Sequence, residues 1–269
     1  IPGISNKFGD FGDNAVDLMV LVGWSENRLK KYYVLFQKDT DYSEKLAQVY
    51  TTLRQDIASG LVKGFLLTGS RSDSFATDVP WIDELDNFIK NDLFTTSLPI
   101  VGICFGHQII SKQLGAKVGR NTELGLEVGT VTAESNSELN KIENLPFDST
   151  RGHWNLVEFH QDIVHNVPPP STIDKFDTSF ISIGSSAKCQ IQGLITERGP
   201  LKIFTVQGHP EFNTELAFAL LQLDLEKQLL DQNQYDKSFY NTQILNNQGK
   251  DFGEYFSRFY KLNEGSFQN

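Results

Sequence analysis

A cysteine set between two glycines, where an apolar run meets a helical pattern, constrains this chain more than any other feature. The stretch reads Gly102-Ile103-Cys104-Phe105-Gly106-His107-Gln108. Leu98-Pro99-Ile100-Val101 leads into it, and a helix-like pattern over residues 108–114 follows. Strand, tight turn and helix in that order form a nucleophile elbow, which exposes the sulfur and aims backbone N–H groups at whatever it attacks. Glycines on either side suit a strained backbone that leaves no room for a Cβ.

A nucleophilic cysteine needs a base. The chain has five histidines, His107, His153, His160, His165 and His209. His209 stands in Val206-Gln207-Gly208-His209-Pro210-Glu211-Phe212, directly after the apolar run Ile203-Phe204-Thr205-Val206 that reads as a buried strand. Glu211 lies two positions on. A carboxylate beside an imidazole fixes its tautomer and stabilises its protonated form, and the imidazole then holds the cysteine as thiolate, the reactive form. The expected catalytic set is Cys104, His209 and Glu211.

These two segments together resemble the class I, or triad, glutamine amidotransferases. Gly64-Phe65-Leu66-Leu67-Thr68-Gly69-Ser70 is similar to that family's oxyanion strand and loop, and Phe159-His160-Gln161-Asp162-Ile163-Val164 to its His-x-Asp-x-Val segment. Gly119-Arg120-Asn121 also fits. The wording over residues 68–75, followed by Trp81-Ile82, resembles stand-alone fungal amidotransferase-like proteins and plant γ-glutamyl peptidases. The resemblance covers about residues 8–213. It implies a flavodoxin-like three-layer α/β fold. It also implies oxyanion donors at the backbone of Gly69, Ser70 and Phe105, and a glutamyl pocket touched by Gln108, His160 and Asp162. The family opens on a short strand ahead of a helix, and Phe8-Gly9-Asp10-Phe11-Gly12 resembles the start of that helix. A strand preceding the given sequence is therefore expected.

Composition narrows the alternatives. A chain of 269 residues is long enough for one large α/β domain, expected to span 1–269 with a helical extension over about 214–263. The net charge of −10 argues against nucleic acid as partner. Two separated cysteines suit a reducing compartment and a cytoplasmic location. No apolar run reaches the roughly 18 residues of a membrane span. No Cys/His spacing suits zinc, and no Gly-x-x-x-x-Gly-Lys loop suits ATP, so no metal or cofactor is expected.

Apolar runs alternating with helical patterns predict a mostly parallel sheet covered by helices on both faces. Strands are expected at 32–36, 64–67, 100–103, 128–133, 154–159 and 180–182, with a hairpin of 191–196 and 201–206. Helices are expected at 42–59 and 83–90. Residues 135–151 read as an insertion near the site, 167–170 as a stiff surface connection and 232–248, rich in Asn and Gln, as a loop. Phe252, Tyr255, Phe256, Phe259 and Tyr260 predict a final docking helix.

Each site residue also has an ordinary reading. A cysteine between glycines is by itself more often a small buried hydrophobe, and Cys189 is read that way. His107 packs or hydrogen-bonds locally, His153 and His165 lie at the surface, and Trp81 packs. Three functions remain open. One is hydrolysis of a γ-glutamyl amide, with a small γ-glutamyl molecule as substrate. The second is a glutaminase subunit feeding ammonia to a separate synthetase. The third is a non-catalytic interaction module on the same scaffold.

Overall fold

The computed structural model describes residues 3–36, 42–170 and 177–264. The strands are β1 (Phe65–Leu67), β2 (Ile100–Ile103), β3 (Val118–Arg120), β4 (Glu127–Ser135), β5 (His153–His160), β6 (Asp162–Val164), β7 (Ser179–Ser182), β8 (Gly184–Ser185), β9 (Leu194–Arg198) and β10 (Ile203–Val206). The helices are α1 (Ile4–Phe8), α2 (Phe11–Leu21), α3 (Tyr42–Ala58), α4 (Pro80–Asn91), α5 (Phe105–Gln113), α6 (Thr214–Glu226), α7 (Gln232–Ile244) and α8 (Gly249–Glu264). No helix among the described residues is long and apolar enough to cross a membrane.

A five-stranded sheet in the order β1-β2-β10-β9-β7 forms the centre. β2 pairs in parallel with β1 and with β10, whereas β9 runs antiparallel to both β10 and β7. Four of the five strands therefore point the same way, and β9 alone is reversed, because the tight β9–β10 turn returns the chain beside itself. The expected α/β architecture is present.

Alternation along the strands sends neighbouring residues to opposite faces. Ile100 and Ile203 enter one core with Leu46, Tyr50 and Leu53 of α3, Trp81, Ile82, Leu85, Phe88 and Ile89 of α4, and Ile109 and Ile110 of α5. Val101, Ile103, Phe204 and Val206 enter the other with Leu18 and Met19 of α2 and Phe252, Phe256 and Phe259 of α8. The final helix thus covers one face of the sheet together with α2, and Tyr260 donates its hydroxyl hydrogen to the main-chain oxygen of Phe65 at 2.8 Å.

A smaller sheet, β5-β4-β8, and the pair β3-β6 stand beside this core. Residues 135–151 sink Leu139 and Phe147 into the α8 cluster, where Phe147 meets Phe252 and Tyr255 edge-on. Pro168, expected on a surface connection, is buried.

Two expectations fail. Residues 32–36 form no strand: Tyr32, Val34 and Phe36 face the core and Tyr33 and Leu35 face water, but they have no ladder partner among the described residues. Alternation reports a half-buried extended chain, and a strand needs a neighbour as well. The Asn- and Gln-rich stretch is the helix α7 rather than a loop. Asp231 caps it and Gln234 closes a reciprocal capping box. Thr242 of α7 accepts the Thr130 N–H of β4 at 2.8 Å, and Gly129 lets the helix close in, since a Cβ there would meet Thr242 Oγ1 at 2.8 Å.

Candidate active site

Cys104 follows β2 directly and caps α5 with φ 51° and ψ −105°, a conformation that L-residues avoid. Glycines make the turn fit. A Cβ on Gly106 would lie 2.2 Å from the main-chain oxygen of Leu67, and one on Gly102 would strike Ile110 and Gly106. The start of α5 is therefore pressed against β1 and β2. Cys104 is only 6% exposed, and its N–H donates to Val206 O at 2.9 Å. That bond ties the elbow to the strand delivering the histidine.

His209 lies just past β10, its own N–H held by Val157 O at 2.8 Å. Its Nδ1 is 2.8 Å from Glu211 Oε1, and Cys104 is near enough to the ring to raise its pKa. His209 is 2% exposed, and its imidazole lies flat on Phe212, centroids 4.1 Å apart and planes 6° apart, with Phe11 on the same stack. Burial by itself would lower its pKa, but the thiol and the Glu211 carboxylate outweigh that and hold it well above the usual histidine value. The turn rests on α8: a Cβ on Gly249 would stand 2.2 Å from Pro210 O, and Asn247 Nδ2 donates to Phe212 O at 2.9 Å.

Gly69 adjoins this pair. A Cβ there would sit 2.9 Å from His209 Cε1 and 3.0 Å from the Phe11 ring. Neither Gly69 nor Ser70 has a left-handed φ, so the serine costs no strain. Phe105 opens α5, so its N–H has no acceptor within the helix, and its ring stacks on Trp81 at 5.4 Å.

The three residues expected in the glutamyl pocket each have defined partners. Gln108 is buried with its amide engaged: Nε2 donates to Asp162 O at 2.8 Å and Gln207 Oε1 at 3.2 Å, and Oε1 accepts from Ser74 Oγ at 3.2 Å. It ties the elbow helix to the segment around Asp162. Asp162 is half-buried and takes Arg120 Nε at 2.6 Å, and Arg120 also reaches Asp73. Burial raises the Asp162 pKa against the pull of Arg120. His160 is buried between Glu127 and Glu158, at 3.2 and 3.3 Å from Nε2. Burial opposes its charge, yet the two carboxylates hold its pKa up to about 10.

The other histidines and Cys189 are accounted for. His107 is buried with Nδ1 2.8 Å from Thr205 Oγ1, and burial pushes its pKa down to about 3, so it is neutral. His153 and His165 are exposed. Cys189 is buried with its thiol on Ile191 O, and burial raises its pKa well above the thiol norm. One group of described residues has metal-ligand spacing, Glu127, Glu158 and His160. There the His160 proton already stands between the carboxylates, where a cation would sit.

The sequence reading missed Phe11 and Glu158 as neighbours of His209. For Glu158 a signal was present: Glu158 and His160, two apart on a strand, share one face.

Residues 82–222 match the family described as Glutamine amidotransferase class-I. A Saccharomyces cerevisiae protein assigned by name to the glutamine amidotransferases is 32% identical over 91% of this chain and 87% of its own length. Gamma-glutamyl peptidase 5 of Arabidopsis thaliana is 28% identical over 65% of this chain and 64% of its own. Among solved structures, a glutamine amidotransferase of Thermotoga maritima shares the fold with a TM-score of 0.56, at 19% identity over 75% of this chain and 80% of that one. The chain belongs to the class I glutamine amidotransferase family.

Proposed function

We propose that this chain hydrolyses a γ-glutamyl amide bond through a thioester on Cys104. The observation that supports the reading is a cysteine on a strained elbow in electrostatic contact with His209, whose Nδ1 lies 2.8 Å from the buried Glu211 carboxylate. The Cys104 thiolate attacks the γ-carbonyl carbon, a C–S bond forms, and the carbonyl oxygen takes the charge. Backbone N–H groups of Phe105 and the Gly69-Ser70 loop face that oxygen, each such donor contributing about 3 kcal/mol. The intermediate then collapses, the C–N bond breaks, and protonated His209 gives its proton to the leaving nitrogen. Water attacks the thioester, His209 takes the water's proton, and the thiolate leaves as glutamate is released.

A γ-glutamyl peptide suits the site better than glutamine alone. A cavity of about 570 Å³ lies next along the chain from Ser70, lined by Arg71, Asp73, Val79 and Trp81 among others, and Trp81 stacks on Phe105. The named activity of the Arabidopsis peptidase supports the same choice.

The test is glutamate release from glutamine and from γ-glutamyl peptides, by wild type and Cys104→Ala. Peptides are expected to be cut without a second subunit. The variant is expected to lose turnover by about a thousandfold or more at unchanged thermal midpoint. A diazoketone mimic of glutamine should add one adduct, at Cys104. Wild-type-like turnover in Cys104→Ala would overturn the mechanism, and turnover only of glutamine with an added synthetase would favour ammonia delivery.

A further inference from the structure

A second buried charge cluster lies against the peptide that presents His209. Glu127 projects from β4, and Glu158 and His160 from β5. Glu127 is well provided for: Ser186 Oγ donates to it at 2.7 Å, Gln192 Nε2 at 2.9 Å, and His160 Nε2 lies at 3.2 Å. Glu158 is 1% exposed and has far less. Its Oε2 has the ion pair with His160 and no other hydrogen-bond partner. Its Oε1 lies over Gly208, where a Cβ would come within 2.2 Å of it. A side chain before His209 would therefore force the Glu158 carboxylate to shift, and the adjoining Val157 carbonyl holds the His209 N–H. An ion cluster this deep is a weak source of stability, because desolvation offsets most of the attraction.

Building on the function proposed above, we propose that Glu158 is a positioning residue for His209. Clamped between His160 and Gly208, its carboxylate fixes the peptide from which His209 meets Cys104. It also places a second anion, besides Glu211, in the surroundings of the imidazolium. The titratable groups around it are His160 and Glu127, His209, the Cys189 thiol and, beyond His160, the neutral His107. Burial raises the Glu158 pKa to about 7 against the opposing pull of His160 and the charge on His209. That influence is mutual, so an ionised Glu158 favours a protonated His209.

Glu158→Gln keeps the shape and removes the charge. The kcat for glutamate release is expected to fall about tenfold with KM nearly unchanged. The alkaline limb of the kcat profile, where His209 loses its proton, is expected to move to lower pH by about one unit. Glu158→Asp keeps the charge and should leave that limb in place even if the rate falls, and it serves as the test if the Gln variant does not fold. A Gln profile that overlays the wild type, or an Asp profile that moves as the Gln one is expected to, would overturn the proposal. So would a stoichiometric divalent ion in purified wild type that Glu158→Gln loses. A wild type that releases no glutamate counts against the function itself, whereas an active wild type with an unmoved Glu158→Gln profile counts against Glu158 alone.

Discussion

Single atoms decide the geometry around Cys104. Gly69 has no Cβ because His209 Cε1 and the Phe11 ring occupy the space where one would go. Gly69→Ala should push the imidazole off line, and kcat/KM should drop about a hundredfold, with stability lowered by about 1 kcal/mol or less. Steady-state kinetics and denaturant melts separate the two effects. His160 carries a pH signature. Its pKa is held at about 10, above the ordinary value of 6.5, so its contribution to stability is complete below pH 6.5 and fades as pH rises toward 10. Wild type should therefore lose thermal midpoint steadily over that window, and His160→Gln should start lower and lose less. The elbow and the His-Pro-Glu turn were legible because short contiguous words encode backbone strain and acid–base pairing. The Glu127–His160 pair was not, because residues 33 positions apart meet only after β4 and β5 pair.

At the level of helices and strands, legibility followed packing rather than composition. α4, expected over 83–90, runs Pro80–Asn91 and buries Trp81, Ile82, Leu85, Phe88 and Ile89 at helical spacing behind Pro80. α7 did not, since its Asn and Gln content suggests turns and only one of its residues, Thr242, is buried. The helix owes its place to a cap and to the seat on β4. Asp231→Ala, which breaks the capping box, should cost about 1 kcal/mol. α8 is the opposite case, an amphipathic helix with Phe252 and Phe256 fully buried. Phe256→Ala should cost about 3–5 kcal/mol in chemical denaturation, because the cavity would open against Phe204 at the centre of the sheet.

Across the whole molecule, the proposed catalytic groups come from three separated stretches that the sheet gathers at one end: the turn after β1, the elbow after β2 and the turn after β10. Parallel pairing brings those turns to the same edge, which is where open α/β sheets place their sites. The last long helix is part of that arrangement. Gly249 abuts Pro210 O, Asn247 holds Phe212 O, and Tyr260 reaches back to Phe65 beneath the oxyanion loop. Warming the protein should therefore extinguish glutamate release at the temperature where amide hydrogens of residues 249–260 begin to exchange, not later. Catalysis here doubles as a latch sensor: a trimmed or loosened tail would register as a silent enzyme well before the rest of the body came apart.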